Sequence, residues 1–396
     1  MFQKLSRDSW VLIAFSSLRK LTDVFVGAFL VAYIMRLATN DIVAVSIFRL
    51  VEYWVLAFGS ILIAHLCKAY NKVFVFGLHL VAYVVLMAAL IMLGDNVIEQ
   101  LFLIGTLYGV AELFYRFPFN LMVTEKVVPH QMARFISIKS AWRNAVSIIA
   151  PTVLGIFITI GSFVDMARVM LIIICLEFGL LFMFGRSRHR DSCPIDFSGF
   201  TRRIMRFPII RHMFLAEVLR GFADLMGTTV TMYTIYLFHT DLNLGFFTTA
   251  FAICTIIVST VYSHFSHHQH FAFVAQMCVL GFAVGVGSFC AAPGQITYFM
   301  YGFVYATAAN IIYHICDAVM FNLGQSHLVT NNFKSEYLTL REISFCTGRW
   351  AALIALLYIG VFGGVAILRW GVLVMGIALI LSTQISVAVS RHLRER

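Results

Sequence analysis

Two aspartates, Asp23 and Asp224, lie inside long apolar stretches, and each follows an arginine by four residues, Arg19 and Arg220. On a helix that spacing puts acid and base on one face. Other charges recur in the same surroundings at helical spacing: Arg49 with Glu52, Glu112 with Arg116, Lys139 with Arg143, His314 with Asp317, and Arg341, Glu342 and Arg349 together. A carboxylic acid in a cavity of low dielectric can take up and release a proton near neutral pH. If protonation breaks a pairing with an arginine, proton binding is tied to rearrangement or to solute release. An arginine fork also donates hydrogen bonds to an anionic or polar group of a solute. A plainer reading stands beside this one. An acid and a base one helical turn apart neutralise each other, ease insertion and pin helix packing, and an arginine there can lock a gate.

These charges need an apolar frame. The chain has 396 residues, 61% hydrophobic and 12% charged, with a mean hydropathy of +0.88. A water-facing fold of this size could not hide so much apolar surface. Lipid is therefore the solvent for much of it. About 20 mostly apolar residues cross a bilayer. On that basis helices are predicted near 10–38, 42–66, 72–93, 98–123, 133–161, 164–185, 208–238, 243–263, 270–292, 295–323, 336–363 and 366–390. The first of these is too long for the apolar core of a signal peptide and reads as a membrane helix. Connections are short, because irregular backbone cannot face lipid. The exception is a linker over 186–207, rich in arginine (Arg186, Arg188, Arg190, Arg202, Arg203, Arg206), which parts the chain into 1–185 and 208–396.

Basic residues set orientation. The N-terminus, Lys68 and Lys72, Lys126 and Arg134, the linker, and Arg391, Arg394 and Arg396 all fall on one side, which predicts cytoplasmic termini. The two halves also echo each other. Leu18, Arg19 and Asp23 match Leu219, Arg220 and Asp224 at an offset of 201, while Gly27 and Tyr33 match Gly227 and Tyr233 at 200. Phe119-Asn120-Leu121 matches Phe321-Asn322-Leu323 at 202. A near-constant offset of half the chain indicates two parallel repeats, a transporter plan with the site between them. The predicted fold class is thus all-α integral membrane, with 12 transmembrane helices as two parallel six-helix bundles.

Gly59, His65, Lys68, Tyr70 and Lys72 lie at the loop between the second and third helices, and Ala150-Pro151 precedes Leu154-Gly155 in the fifth. With six plus six helices and a basic central linker, the chain resembles the major facilitator superfamily. That family's signature loop holds a glycine, an aspartate and several basic residues; the aspartate is missing here. Its antiporter members carry a Gly-Pro followed by glycines in the fifth helix. The resemblance implies that the first, second, fourth and fifth helices of each half line a cavity. Apart from Glu177, the buried charges avoid the outer helices.

The expected function is secondary active transport of a small polar or amphipathic solute by alternating access, proton-coupled and tilted to export. An uptake symporter for a sugar, peptide or organic acid, and a lipid-type flippase, are the alternatives. Candidates for substrate binding or coupling are Asp23, Glu112, Arg116, Arg143, Asp224, Tyr33, Tyr233, Asn310 and Asp317. Gating candidates are Arg19, Arg220, Glu52, Arg341, Glu342 and Arg349. Glu112, with Asp23 or Asp224, is the expected proton-coupling group, with Arg116 and Arg143 as contacts for the solute.

No metal, cofactor or enzyme activity is expected. The eight cysteines show no metal or redox spacing, and no nucleotide loop or zinc-protease helix occurs. The run His264, His267, His268 and His270 reads as a surface loop rather than a metal site. The net charge of +10 forms no continuous basic face, which argues against nucleic acid. The expected partners are a solute, protons and the bilayer of a plasma membrane of bacterial inner-membrane type, with the protein acting as a monomer.

Overall fold

The computed structural model describes residues 5–38, 42–127, 132–184, 195–204, 206–238, 246–247, 249–258, 271–292, 294–326, 328–329, 333–362 and 364–394. Among these the chain is helical, with no strand. Helix α1 (Arg7–Val24) opens on a Ser6 cap, whose hydroxyl accepts the Ser9 amide at 3.1 Å. It runs through a π-helical turn (Phe25–Leu30) into α2 (Val31–Leu37). Then come α3 (Ile42–Ala69) and α4 (Lys72–Leu93). Gly94, with φ +51°, caps α4 by donating its amide to the Leu90 carbonyl. Only glycine adopts that left-handed conformation freely. The chain reverses there, and α5 (Leu101–Lys126) packs back along α4.

The series continues with α6 (Met132–Ile160) and α7 (Phe163–Leu181). Within the linker, expected to be an irregular connection, Phe197–Ile204 form a short helix, α8. Its Phe200 is buried edge-on against Phe333, 5.9 Å between ring centres, so an apolar anchor orders this stretch of linker. Next are α9 (Pro208–Asp224) and α10 (Met226–Phe238), which meet at a break at Leu225. They are followed by α11 (Thr249–Val258), α12 (Phe271–Ala291) and α13 (Gln295–Val304). A second π-helical turn (Tyr305–Ala309) leads into α14 (Asn310–Gln325), and α15 (Lys334–Phe362) and α16 (Gly364–Arg394) complete the series. The histidine run at 264–270 lies outside the described residues.

Seven described segments are long and apolar enough to cross a membrane. One of them, Lys72–Lys126, is the α4–α5 hairpin. Segments α1 and α9 are absent from this set: α1 carries Arg7, Asp8, Arg19, Lys20 and Asp23, and α9, which carries Arg211, Glu217, Arg220 and Asp224, is only 17 residues long. What weakens their hydropathy is what makes them candidates for function.

The two π-helical turns and the Leu225 break interrupt the helices beside the candidate charges. Each wide turn frees a backbone carbonyl that a neighbouring helix captures. Arg49 donates to Gly27 at 3.2 Å, and the Thr255 hydroxyl to Ala306 at 2.8 Å. A π-helical turn holds one residue more than an α-helical turn. The repeat offset falls from 201 to 200 between Asp23 and Gly27, and Phe25–Leu30 is where the extra residue is taken up.

Five pairings organise the packing: α1 against α6, α3 against α5, α9 against α15, α9 against α16, and α3 against α15. The last joins the two sequence halves. Small residues permit the closest crossings. Gly105 and Gly109 of α5 face the α3 backbone at Phe48 and Glu52. Gly221 of α9 faces the backbone of Phe345, and Gly348 of α15 faces that of Val218.

Candidate functional site

Helix α1 carries Arg19 fully buried, one turn before Asp23 and the π-helical turn. The Arg19 guanidinium donates to the Tyr83 hydroxyl and to Glu112 in close contacts, and lies 3.3 Å from Asp23. It also sits over the Tyr83 ring, 3.8 Å from the centroid. Tyr83 donates to Glu112 at 2.8 Å. Glu112 takes a further hydrogen bond from Arg116 on its own helix, and Asp23 one of 2.9 Å from Arg143 on α6. The result is a continuous chain, Arg116–Glu112–Arg19–Asp23–Arg143, across α5, α1 and α6.

The other half repeats this plan with different residues. Arg220 donates to Asp317 on α14 at 2.7 Å, as Arg19 does to Glu112 on α5. Arg349 on α15 donates to Asp224 at 2.6 Å, as Arg143 on α6 does to Asp23. The expected Arg220–Asp224 pair does not form. Both residues lie within α9, but Arg220 turns to Glu217 at 3.0 Å as well as to Asp317. Arg341 lies between Glu217 (3.3 Å) and Asp317 (3.4 Å), with Glu342 at 3.5 Å.

Burial sorts these carboxylates into two ranks. Glu112 and Glu217 side chains are 3% and 1% exposed, whereas Asp23, Asp224 and Asp317 are 22%, 31% and 32% exposed. The aspartates, with the partly exposed Arg116 and Arg143, are the members a solute or solvent can reach. Glu52 is buried against Arg49 at 2.7 Å. The neighbouring Tyr53 meets Arg349 from the other half, 4.3 Å from its ring centre. His314 on α14 shares a hydrogen bond of 3.1 Å with Ser140 on α6, a second contact between the halves.

Near the linker, Lys68 at the end of α3 pairs with Glu336 in the first turn of α15 at 3.0 Å. The Asp196 amide donates to the same Glu336 oxygen at 3.0 Å. The pair is buried, so either charge left alone would be costly. Reversing Lys68 alone (K68E) is expected to lower the melting temperature, and the double exchange K68E/E336K to recover most of it. A double-mutant cycle on melting should give a coupling of about 0.5–3 kcal/mol; a cycle that closes to zero would leave the pair without energetic weight.

The Major Facilitator Superfamily profile matches residues 18–334. The chain belongs to this superfamily. No curated protein matches it in sequence. Among solved structures, the human organic anion transporter MFSD10 superposes with a TM-score of 0.69 at 13% identity, covering 95% of this chain and 99% of its own. The E. coli fucose:proton symporter gives 0.67 at 13% identity, with 97% of each chain covered. A bacterial homologue of the iron transporter ferroportin, inward-facing, gives 0.65 at 14%, covering 98% of this chain and 100% of its own. At these identities the likeness is one of fold. Superfamily membership and the apolar helices make the chain a multi-pass membrane protein.

Within this superfamily fold, several predicted site residues lie apart from the networks. Tyr33 stacks on Phe163, 4.1 Å between centroids, and donates to Asp95 at 2.7 Å. Tyr233 packs against Phe289 and Tyr298. Both sit at the junction between the third and fourth helices of their own half, away from the ion pairs. Asn310 opens α14 directly after the second π-helical turn. Sequence reading missed Glu217, although its spacing of three from Arg220 repeats that of Glu52 from Arg49. It also missed Tyr83, a lone tyrosine on an apolar helix with no signal of its own. The buried His79, 3.9 Å from Glu177, lies behind Tyr83.

Proposed function

We propose that this chain is a secondary active transporter. It moves a small polar or amphipathic solute by alternating access across a plasma membrane of bacterial inner-membrane type. In this reading twelve membrane helices form two parallel six-helix bundles, 1–185 and 208–396, joined by the linker at 186–207. The bundles rock against each other along α3 and α15. Both termini are cytoplasmic, and the protein works as a monomer. Alternation needs an element with two arrangements whose balance a ligand shifts.

The observation that carries this reading is the ion-pair plan repeated in the two halves. Arg19–Glu112 and Asp23–Arg143 correspond to Arg220–Asp317 and Asp224–Arg349. Charges held inside a membrane fold are costly unless paired or facing a polar cavity. A structural clip needs no reachable aspartate, yet each half has at least one. Solute binding or protonation at Asp23 would release Arg143 and loosen α1 from α6. The solved neighbours are a sugar–proton symporter, an organic anion transporter and an iron-transporter homologue, so the shared fold accommodates very different solutes. Pro151 in α6, with Gly155 one turn on, tilts the direction to export.

Proton coupling places Glu112 behind Asp23 as the partner that redistributes Arg19. In proteoliposomes, flux of an identified solute should depend on a pH gradient for the wild type. Glu112→Gln should lower that flux and flatten its pH dependence. A variant that keeps the wild-type pH profile would remove Glu112 from the coupling role.

A further inference from the structure

Every carboxylate in the ion-pair networks already has an arginine. Two lysines beside these networks are left over. Lys20 on α1 and Lys139 on α6 are half-buried, and among the described residues neither has a hydrogen-bond or carboxylate partner. Lys139 stands over the Phe119 and Phe135 rings, 5.5 and 6.0 Å away.

The two lysines converge. Helices α1 and α6 pack together and are bridged by Asp23 and Arg143 at 2.9 Å. Lys20 stands three residues before Asp23, and Lys139 four before Arg143. Both therefore leave their helices one turn from the bridge, on the side of the N-terminus. Arg143 is a charged neighbour of both, with Asp23 facing Lys20 and Asp317 facing Lys139. An ammonium withdrawn from water without a counter-charge is unfavourable, and like charges beside it make it worse. Asp23, bridged to Arg143, and Asp317, already held by Arg220 and Arg341, are the carboxylates that face the two lysines, so the cluster keeps an excess of positive charge and is complementary to an anion.

We propose that Lys20, Lys139 and Arg143 form an anion site, and that the transported solute is an organic anion bearing a carboxylate or a phosphate. This rests on the reading of the chain as a solute transporter. Lysine is a point charge without the fixed fork of arginine, so the pair accepts either head group. Ser140, beside Lys139, meets His314 of the other half at 3.1 Å, so a bound anion lies where the two halves touch. The Phe119 and Phe135 rings supply apolar walls for the body of the solute.

The test uses the purified full chain. Melting is followed with benzoate, citrate, inorganic phosphate, glucose 6-phosphate, glucose and tetraphenylphosphonium, and flux of the same solutes is measured in proteoliposomes. At least one anion should raise the melting temperature and be carried, and the carboxylate and phosphate arms tell which head group is meant. Lys20→Met and Lys139→Met should each weaken that anion by at least about tenfold. Lys139→Arg should retain it. Without anion, both Met variants should melt at or above the wild type, because an unpaired buried charge has gone. Lys20→Gln and Lys139→Gln replace any Met variant that does not fold. If no anion stabilises the protein, the anion site is overturned. Flux of glucose or tetraphenylphosphonium alongside that result would leave the transporter reading standing, whereas absence of flux for every solute would remove it too. Anion stabilisation unchanged in both lysine variants would overturn the assignment to these residues.

Discussion

Arg19→Ala is expected to destabilise the protein by about 3–5 kcal/mol, the cost of leaving buried charges without their partner. Arg19 is fully buried and holds Glu112, Asp23 and Tyr83 together, from three helices. Removing it takes one of the two arginines from Glu112, which is 3% exposed and cannot turn to water, and leaves it Arg116 and Tyr83. Asp23 keeps Arg143 and suffers less. A melting series in detergent would register the loss. The double variant R19M/E112M should recover most of it, because replacing a buried pair by apolar groups of similar volume is close to neutral. Arg116, the partner then released from Glu112, is 32% exposed and can be solvated. If the double variant melts as low as Arg19→Ala, the lost stability belongs to Arg19 packing on Tyr83 and Tyr115 rather than to the charge pair.

Gly348→Ala is the second large effect. A Cβ there would overlap the Val218 carbonyl and lie 2.6 Å from the Phe222 amide nitrogen. Both are backbone atoms, so no rotamer can relieve the clash and α9 must move away from α15. Overpacking of this kind costs about 1–3 kcal/mol. It also strikes function, because the same crossing sets the 2.6 Å contact between Arg349 and Asp224. Melting and flux should therefore both fall, and distances between spin labels on α9 and α15 should lengthen. Gly179→Ala is the control, because nothing lies within 4 Å of the added methyl. Equal behaviour of the two variants would mean that the crossing is loose.

The sequence made the frame and the cast of charges legible, because both rest on local pattern. Apolar runs, basic loops and the near-constant offset need no knowledge of tertiary contacts. The Arg19–Asp23 contact follows from helical spacing and forms at 3.3 Å. Its counterpart does not form, because Arg220 is taken by Glu217 and Asp317, and Asp224 by Arg349. The partners that matter most, Glu112 for Arg19 and Asp317 for Arg220, come from helices about a hundred residues away, and no local spacing encodes them. Tyr33 and Tyr233 looked like pocket residues because they lie on the right helices, but they sit beyond the irregular turns, where the aromatic rings pack on neighbouring helices. Lys20 and Lys139 became informative only once every nearby carboxylate could be assigned to an arginine.

The wide turn at Phe25–Leu30 also has a bearing on history. Two copies of one segment laid end to end begin identical in length. Here they differ by a single residue between Asp23 and Gly27, and the surplus is held in one swollen turn. Past that turn Tyr33 and Tyr233 still reach the same junction in their respective halves. The one-residue difference is therefore absorbed locally and does not propagate down the helix. The difference in length is taken up where helix geometry can accommodate it, beside the aspartate present in each half.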